Sequence, residues 1–439
     1  MKRSFRLCAA TAFCLLAVAN PYPASARSPQ PDASSSPRFE LSKDDVLVDE
    51  SIQIVVSGLK PRAAVVVSLR GGPDAQWTSS ATFAADANGR IDLSTMAPVK
   101  GSYKDTDPMG LFWSAERQRS PSVVATADND ADESSADQWT LTAAVDGAIV
   151  ARASVRRHAV AAGVRITPLR EGGMVGTFYD PPGNGKHPAV LVLSGSGGGV
   201  PPAIGPAGGL ASRGYAVLAL AYFGAPGLPR SLSNIPLEYF GTALRWLASQ
   251  PSVDSSRIGV LGGSRGGELA LLLGTVYPSL RSVVAYMPSN VVWRGCCDVT
   301  TQVAWTVGGR PVAAMPPPGR RMSFDAPRAE IQVERIHGAI LLISGKDDGV
   351  WDSAPMAEKI VARLRHFEFA YPYQSLSYDH AGHGITRPYT STMELNSRRH
   401  PLTGRTVHMG GTPAGTAHAR DDSWQQMLAF VDRNLRDKS

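Results

Sequence analysis

Residues 257–274 read RIGVLGGSRGGELALLLG: an apolar run, four glycines crowded around one serine, then apolar residues again at helical spacing. Few local sequences constrain a fold so strongly. The first run suits a buried strand and the second a helix, so the chain must reverse its geometry within about four residues. Gly262, Gly263, Gly266 and Gly267 flank Ser264. Glycine is favoured where the backbone bends sharply or where another element passes very close. A serine held at such a bend, in the pattern G-x-S-x-G, has its hydroxyl pushed out above a sheet. The amide of Arg265, first in the helix, would then face charge developing on a carbonyl oxygen.

The rest of the chain supplies a setting for such a bend. HPAVLVLSG, YAVLALAYF, RIGVLG, SVVAYMP and GAILLISG read as buried strands, while IPLEYFGTALRWLASQ, SAPMAEKIVARLRHF and WQQMLAFVDRNLRD read as helices. Alternation of this kind predicts an α/β domain over 157–439 with a parallel sheet covered on both faces. Ligands on such sheets collect at the carboxyl ends of the strands. Before it, residues 39–156 show short alternating runs such as DVLVDESIQIVVSGL and AAVVVSLRG, separated by turn formers. That pattern predicts an all-β, immunoglobulin-like sandwich. TADNDADESSADQ reads as a long exposed loop within it.

The beginning of the chain differs again. MKRSFRLCAATAFCLLAVANPYPASA, residues 1–26, has a basic head, a short apolar middle and an A-x-A end, the pattern of a cleavable secretory signal. A Ser/Pro-rich leader follows over 27–38. The expected location is therefore periplasmic or extracellular, and no later stretch is long enough to span a bilayer. Loss of Lys2, Arg3 and Arg6 with the signal lowers the net charge of +6 to +3. No basic block interleaved with aromatics argues for nucleic acid. Cys8 and Cys14 would leave with the signal. Cys296 and Cys297 are adjacent, so a bridge between them would be strained, and two thiols in or near a core are expected.

A serine nucleophile needs a base and an acid to orient it, in the order Ser, Asp, His on this kind of sheet. LLISGKDDGVWDS puts Asp347 and Asp348 just beyond a strand; Asp348, at the loop tip, is preferred, with Asp347 as the alternative. YDHAGHGI offers His380 and His383, and His383 lies between two glycines in a loop able to reach Ser264. LVLSGSGGG, after an early strand, offers Gly195 and Ser196 as further oxyanion donors beside Arg265. The Arg265 side chain could meet an anion or lie on the surface. No cofactor or metal is called for: no Cys/His set has ligand spacing and no G-K-[ST] follows the glycine loop.

Several segments in order, GGSRGGELALLLGTVYPSLRSVVAYMPSNVVW, GKDDGVWDS, AGHGI, GSYKDTDPMGLFWS and VHMGGTPAGTAHARDDSW, resemble the acyl-CoA thioester hydrolase/bile acid-CoA:amino acid N-acyltransferase family across nearly the whole mature chain. The resemblance implies an α/β-hydrolase domain with Ser264, Asp348 and His383 as nucleophile, acid and base. It implies a small acyl thioester or ester as substrate. Family members that conjugate amino acids typically carry cysteine at the bend, so serine implies water as the acceptor. The alternatives are acyl transfer to an amine, an exported carboxylesterase or amidase, and a non-catalytic binding protein.

Overall fold

In a computed structural model, residues 36–72, 75–118, 136–296, 299–315 and 327–436 are described. The proposed signal peptide, most of the leader, most of TADNDADESSADQ and Cys297 lie outside them. From Pro37 onward the chain forms one compact unit.

Eight strands build its central sheet: β1 (Arg165–Glu171), β2 (Met174–Asp180), β3 (His187–Leu193), β4 (Ala216–Ala221), β5 (Val253–Gly263), β6 (Leu280–Tyr286), β7 (Ala339–Gly345) and β8 (Tyr373–Tyr378). Their order is β1-β2-β4-β3-β5-β6-β7-β8. The sheet is mixed rather than wholly parallel, because β2 runs against both of its neighbours. From β4 to β8 every pairing is parallel. β1 and β2 form a hairpin around Gly172 and Gly173, both at positive φ. A hairpin allows antiparallel pairing without a crossover helix.

All six residues of β4 and all seven of β7 are buried. That fits strands covered on both sides, which need apolar residues at every position. On one face lie α2 (Leu237–Ala248), α3 (Arg265–Val276) and α4 (Ser353–His366), whose apolar residues share a core with Leu191, Leu218 and Val260. Opposite them, α1 (Pro201–Ala211) and α5 (Pro413–Leu435) pack on Val190, Val217 and Leu261. The closing helix starts eleven residues before the expected WQQMLAF segment. Thr412 caps it by accepting from the Gly415 amide at 3.0 Å, and Pro413 opens its first turn.

The N-terminal region has two β-sheets. One joins Arg38–Leu41, Ile54–Ser57 and Ile91–Asp92. The other runs Asp45–Leu47, Ala148–His158, Asp137–Val145, Ala64–Gly71, Trp77–Ala84 and Lys100–Gly101, with Glu116–Arg117 also on Trp77–Ala84. Burial alternates along Ala64–Gly71, so Val65, Val67 and Leu69 point into the core while Val66 does not. A four-residue helix, Gly110–Trp113, departs from the all-β expectation; all of it is buried, with Leu111 and Phe112 in the same core. That core also takes in Tyr389 and Ala417 from the α/β part.

Candidate active site

The bend is sharp where the glycines predicted it. Ser264 sits between β5 and α3 at φ 59°, ψ −123°, a left-handed conformation costly for any residue with a Cβ. Close approach explains the flanking glycines unequally. A Cβ on Gly262 would lie 2.1 Å from the Gly266 carbonyl oxygen, and one on Gly266 would lie 2.5 Å from the Ser194 oxygen. One on Gly263 would meet nothing nearer than 3.6 Å. Strand, helix and the loop after β3 are therefore pressed together through the glycines on either side of the serine, while Gly263 has room.

His383 reaches this serine from a loop 119 positions later. Its Nε2 lies 2.8 Å from Ser264 Oγ, and its Nδ1 lies 2.9 and 2.8 Å from the two carboxylate oxygens of Asp348. The side chains of His383 and Asp348 are 7% and 1% exposed, so the imidazole–carboxylate contact is shielded from water. Asp348 Oδ1 also accepts from the amides of Val350 at 2.9 Å and Trp351 at 3.2 Å. Asp347 is placed differently: half exposed, it faces the exposed His380 ring at 3.5 Å. The structure thus brings Ser264, His383 and Asp348 together and leaves Asp347 and His380 outside the line.

The loops carrying Asp348 and His383 are stitched by the segment 409–411. The His383 amide donates to Met409 O at 2.6 Å, the Gly349 amide donates to the same oxygen at 3.0 Å, and Asp348 bridges to Gly410. Gly410 adopts φ +74°, and a Cβ there would lie 2.0 Å from Asp347 O. Only glycine fits. Beyond His383, the buried Arg420 of α5 donates to the carbonyls of Gly384 at 2.7 Å, Thr390 at 3.1 Å and Ser391 at 3.2 Å. Burial pulls its guanidinium down to about 9. The same loop continues into the β-rich region, where the Thr392 amide donates to Trp113 O at 3.0 Å and Ser391 Oγ to Ala115 O at 2.6 Å.

Of the proposed oxyanion donors, Arg265 and Gly195 lie beside the serine. Arg265 begins α3, and a Cβ built on Gly195 would lie 3.4 Å from Ser264 Cβ, so the loop after β3 packs against this serine. Ser196 follows, with its Oγ 3.2 Å from His400 Nε2. The Arg265 side chain neither faces solvent nor waits for an anion. It is 7% exposed and pairs with fully buried Glu268 at 2.9 Å. Burial pushes the Glu268 carboxyl above the usual range, opposed by Arg265 and by hydrogen bonds from Trp305 and Trp293.

Glu268, Trp293, Trp351, His400 and Arg420 were not anticipated. The first had a signal: Arg265 and Glu268 are the only charges in GGSRGGELALLLG, three residues apart on one helical face. Cys296 is disulfide-bonded, against the expectation of free thiols; its partner lies outside the described residues. Among the described residues no His, Cys, Asp and Glu cluster could hold a metal ion. Nor is any described helix long and apolar enough to cross a membrane. A cavity of about 400 Å³ between β1 and the end of α2 is lined by Arg165, Glu171, Trp246 and Ser252, with no member of the Ser–His–Asp line. It sits at the start of β5; Val253 pairs with His187 and Gly262 with Leu193, so the six steps of β3 put it roughly 20 Å from the bend.

Two family models match the chain. "Acyl-CoA thioester hydrolase/BAAT N-terminal region" covers residues 49–171, and "BAAT / Acyl-CoA thioester hydrolase C terminal" covers residues 235–437. The chain is 32% identical over 412 residues to acyl-coenzyme A thioesterase 1 of Rattus norvegicus, covering 89% of this chain and 95% of that one. It is 32% identical over 418 residues to mitochondrial acyl-coenzyme A thioesterase 2 of Mus musculus, covering 89% and 88%. With Homo sapiens acyl-coenzyme A thioesterase 1 it shares 30% over 402 residues, covering 88% and 94%. With both family regions matched in order and nearly the full length of these relatives covered, the chain belongs to the acyl-CoA thioester hydrolase/BAAT family.

Proposed function

We propose that this protein hydrolyses an acyl thioester, acyl-CoA or a close analogue, through an acyl-serine intermediate. One observation carries the proposal: the hydrogen-bonded line from Ser264 Oγ through His383 to the Asp348 carboxylate. In this reading His383 Nε2 takes the Ser264 proton as Oγ bonds to the thioester carbonyl carbon. Asp348, accepting from Nδ1–H, holds the tautomer that leaves Nε2 free to accept and stabilises the imidazolium. The oxyanion is met by the Arg265 amide and by amides of the Gly195–Ser196 loop. Collapse breaks the C–S bond, and the imidazolium returns its proton to the departing sulfur. His383 then takes a proton from water, whose oxygen attacks the acyl-serine ester. The carboxylic acid leaves and Ser264 regains its proton.

Thioester hydrolysis is supported by the acyl-coenzyme A thioesterase relatives, and a serine at the bend favours water over an amine acceptor. Ser264→Ala is expected to lower kcat for acyl-CoA about 10⁶-fold, leaving only what binding supplies. It should also abolish labelling by a fluorophosphonate. Turnover within tenfold of wild type would overturn the assignment, and an N-acyl product formed from supplied amino acids would move the protein to acyl transfer.

We further infer export through residues 1–26, and a mature chain built of an immunoglobulin-like sandwich (39–156) and an α/β-hydrolase catalytic domain (157–439). The signal pattern supports the first; the two N-terminal sheets around a shared core support the second. Mass spectrometry of the exported protein should find an N-terminus at Arg27. An intact Met1 terminus would overturn the export reading.

A further inference from the structure

The buried charges under the nucleophile are not used by the chemistry above, yet they are connected to it. Glu268 Oε1 accepts from Trp305 Nε1 at 2.8 Å and from the Trp293 amide at 3.3 Å. Arg265 donates to Trp293 O at 3.2 Å and to Arg294 O at 2.7 Å. The first turn of α3 therefore grips both backbone polar groups of Trp293, which lies on the segment between β6 and β7. Burying an ion pair is unfavourable unless its remaining bonds are met, and such pairs are most useful where they fix one geometry among several.

That geometry leads back to the base. The Trp293 indole donates to Ser289 Oγ at 2.8 Å and stacks on Trp351, with ring centroids 6.0 Å apart and planes 17° apart. Trp351 is itself tied down by its Nε1–H to Met287 O at 3.2 Å and by its amide to Asp348. It meets the His383 imidazole edge-to-face at 5.6 Å and 81°. An uninterrupted path of contacts thus runs from the residue after Ser264, through a charge pair and two indoles, to the imidazole that Ser264 touches.

We propose that Glu268 and Trp293 are positioning residues for this reaction: the Arg265–Glu268 pair sets Trp293, whose stack holds Trp351 against His383 and keeps Nε2 aimed at Ser264. The proposal rests on the catalytic reading of Ser264, His383 and Asp348. It differs from a packing role in what it predicts. Packing alone would affect stability; positioning affects the chemical step even where the protein stays folded.

The test uses the mature full-length protein with p-nitrophenyl acetate, whose acyl group is too short to need a chain-binding surface. Trp293→Ala should lower kcat about tenfold, since small misplacements of catalytic groups are costly, with KM within about twofold. Fluorophosphonate labelling should slow by the same factor, and the low-field Nδ1–H proton resonance of the His383–Asp348 contact should broaden. Trp293→Phe, which retains a ring for stacking, should restore kcat to within about threefold. Glu268→Gln should behave like Trp293→Ala. Should the alanine variant melt near the assay temperature, Trp293→Leu is read in its place. A folded Ala or Leu variant with wild-type kcat and an unchanged low-field signal would overturn the proposal. So would a loss of kcat that Phe fails to restore. A Ser264→Ala protein that still turns over would instead overturn the catalytic reading beneath it.

Discussion

Ser264 and His383 stand 2.8 Å apart, yet opposite kinds of structure hold them there. The serine is fixed mainly by its neighbours in sequence: β5, a left-handed bend and α3 press together at Gly262, while Gly266 abuts Ser194 O and the Ser264 amide donates to Tyr286 O at 2.9 Å. The histidine is fixed by residues remote from it. Met409 holds its amide, Asp348 its ring nitrogen, Trp351 its ring edge and Arg420 the carbonyl that follows. One half of the site is built mainly by backbone sterics around the bend, the other by long-range hydrogen bonds. Damage to the first should therefore appear as failure of the local turn, and damage to the second as graded loss of alignment.

With Ser264 in place, the largest expected effect sharpens the remote half. Asp348→Asn should lower kcat about 10⁴-fold, because an amide can favour the wrong imidazole tautomer, with the fold intact by circular dichroism. Asp347→Asn should stay within about twofold, as its carboxylate faces His380 at the surface. Equal losses in steady-state assays would break the assignment of the acid.

The local half is tested by two neighbouring glycines. Gly262→Ala, whose Cβ would collide with Gly266 O, should destabilise the protein by at least about 3 kcal/mol in urea unfolding. Gly263→Ala should cost less than about 1 kcal/mol, having 3.6 Å of clearance. If the two behaved alike, crowding would not explain the motif.

Next in size is Arg420→Met, which leaves the buried carbonyl at 384 and the part-buried ones at 390 and 391 without this donor. We expect a loss of about 3 kcal/mol by chemical denaturation, together with a fall in kcat. Lost stability with unchanged kcat would uncouple this clamp from the base.

The smallest effect lies at the far end of β5. Asp254 is held down to about 2, first by Ser256 Oγ and then by the Ser256 amide, with Arg257 adding to this. Because its folded value is lowered, its stabilisation is present above about 3.8 and is lost as pH falls through about 2. Its side chain is partly exposed, so Asp254→Asn should cost less than about 1 kcal/mol at pH 7, less still at pH 2, and nothing in kcat. A change in kcat would show that distance along the strand does not insulate the bend.

These contrasts explain what could be read in advance. The bend, the buried strands and the helices they alternate with are written in local composition and period. Gly262 and Ser264 carry their meaning in an eighteen-residue window. The β1–β2 hairpin was missed because MVGTFYD is short and direction is not encoded in apolarity. The start of α5 was missed although Thr412-Pro413 marks it, since the turns that follow are polar. His383 and Asp348 were legible as candidates through order and loop position, and their competitors His380 and Asp347 remained open for the same reason.

Sequence alone thus determined where the backbone must turn and which residue types stand there, because sterics and hydrophobic period act over a few residues. Tertiary structure decided which aspartate meets the imidazole. It also turned Arg265 inward to Glu268, set Trp351 against the base and made Gly410 a stitch between two loops. Those outcomes depend on which distant groups become close after burial, and hydrogen bonds and ion pairs act only at the distance that folding brings about.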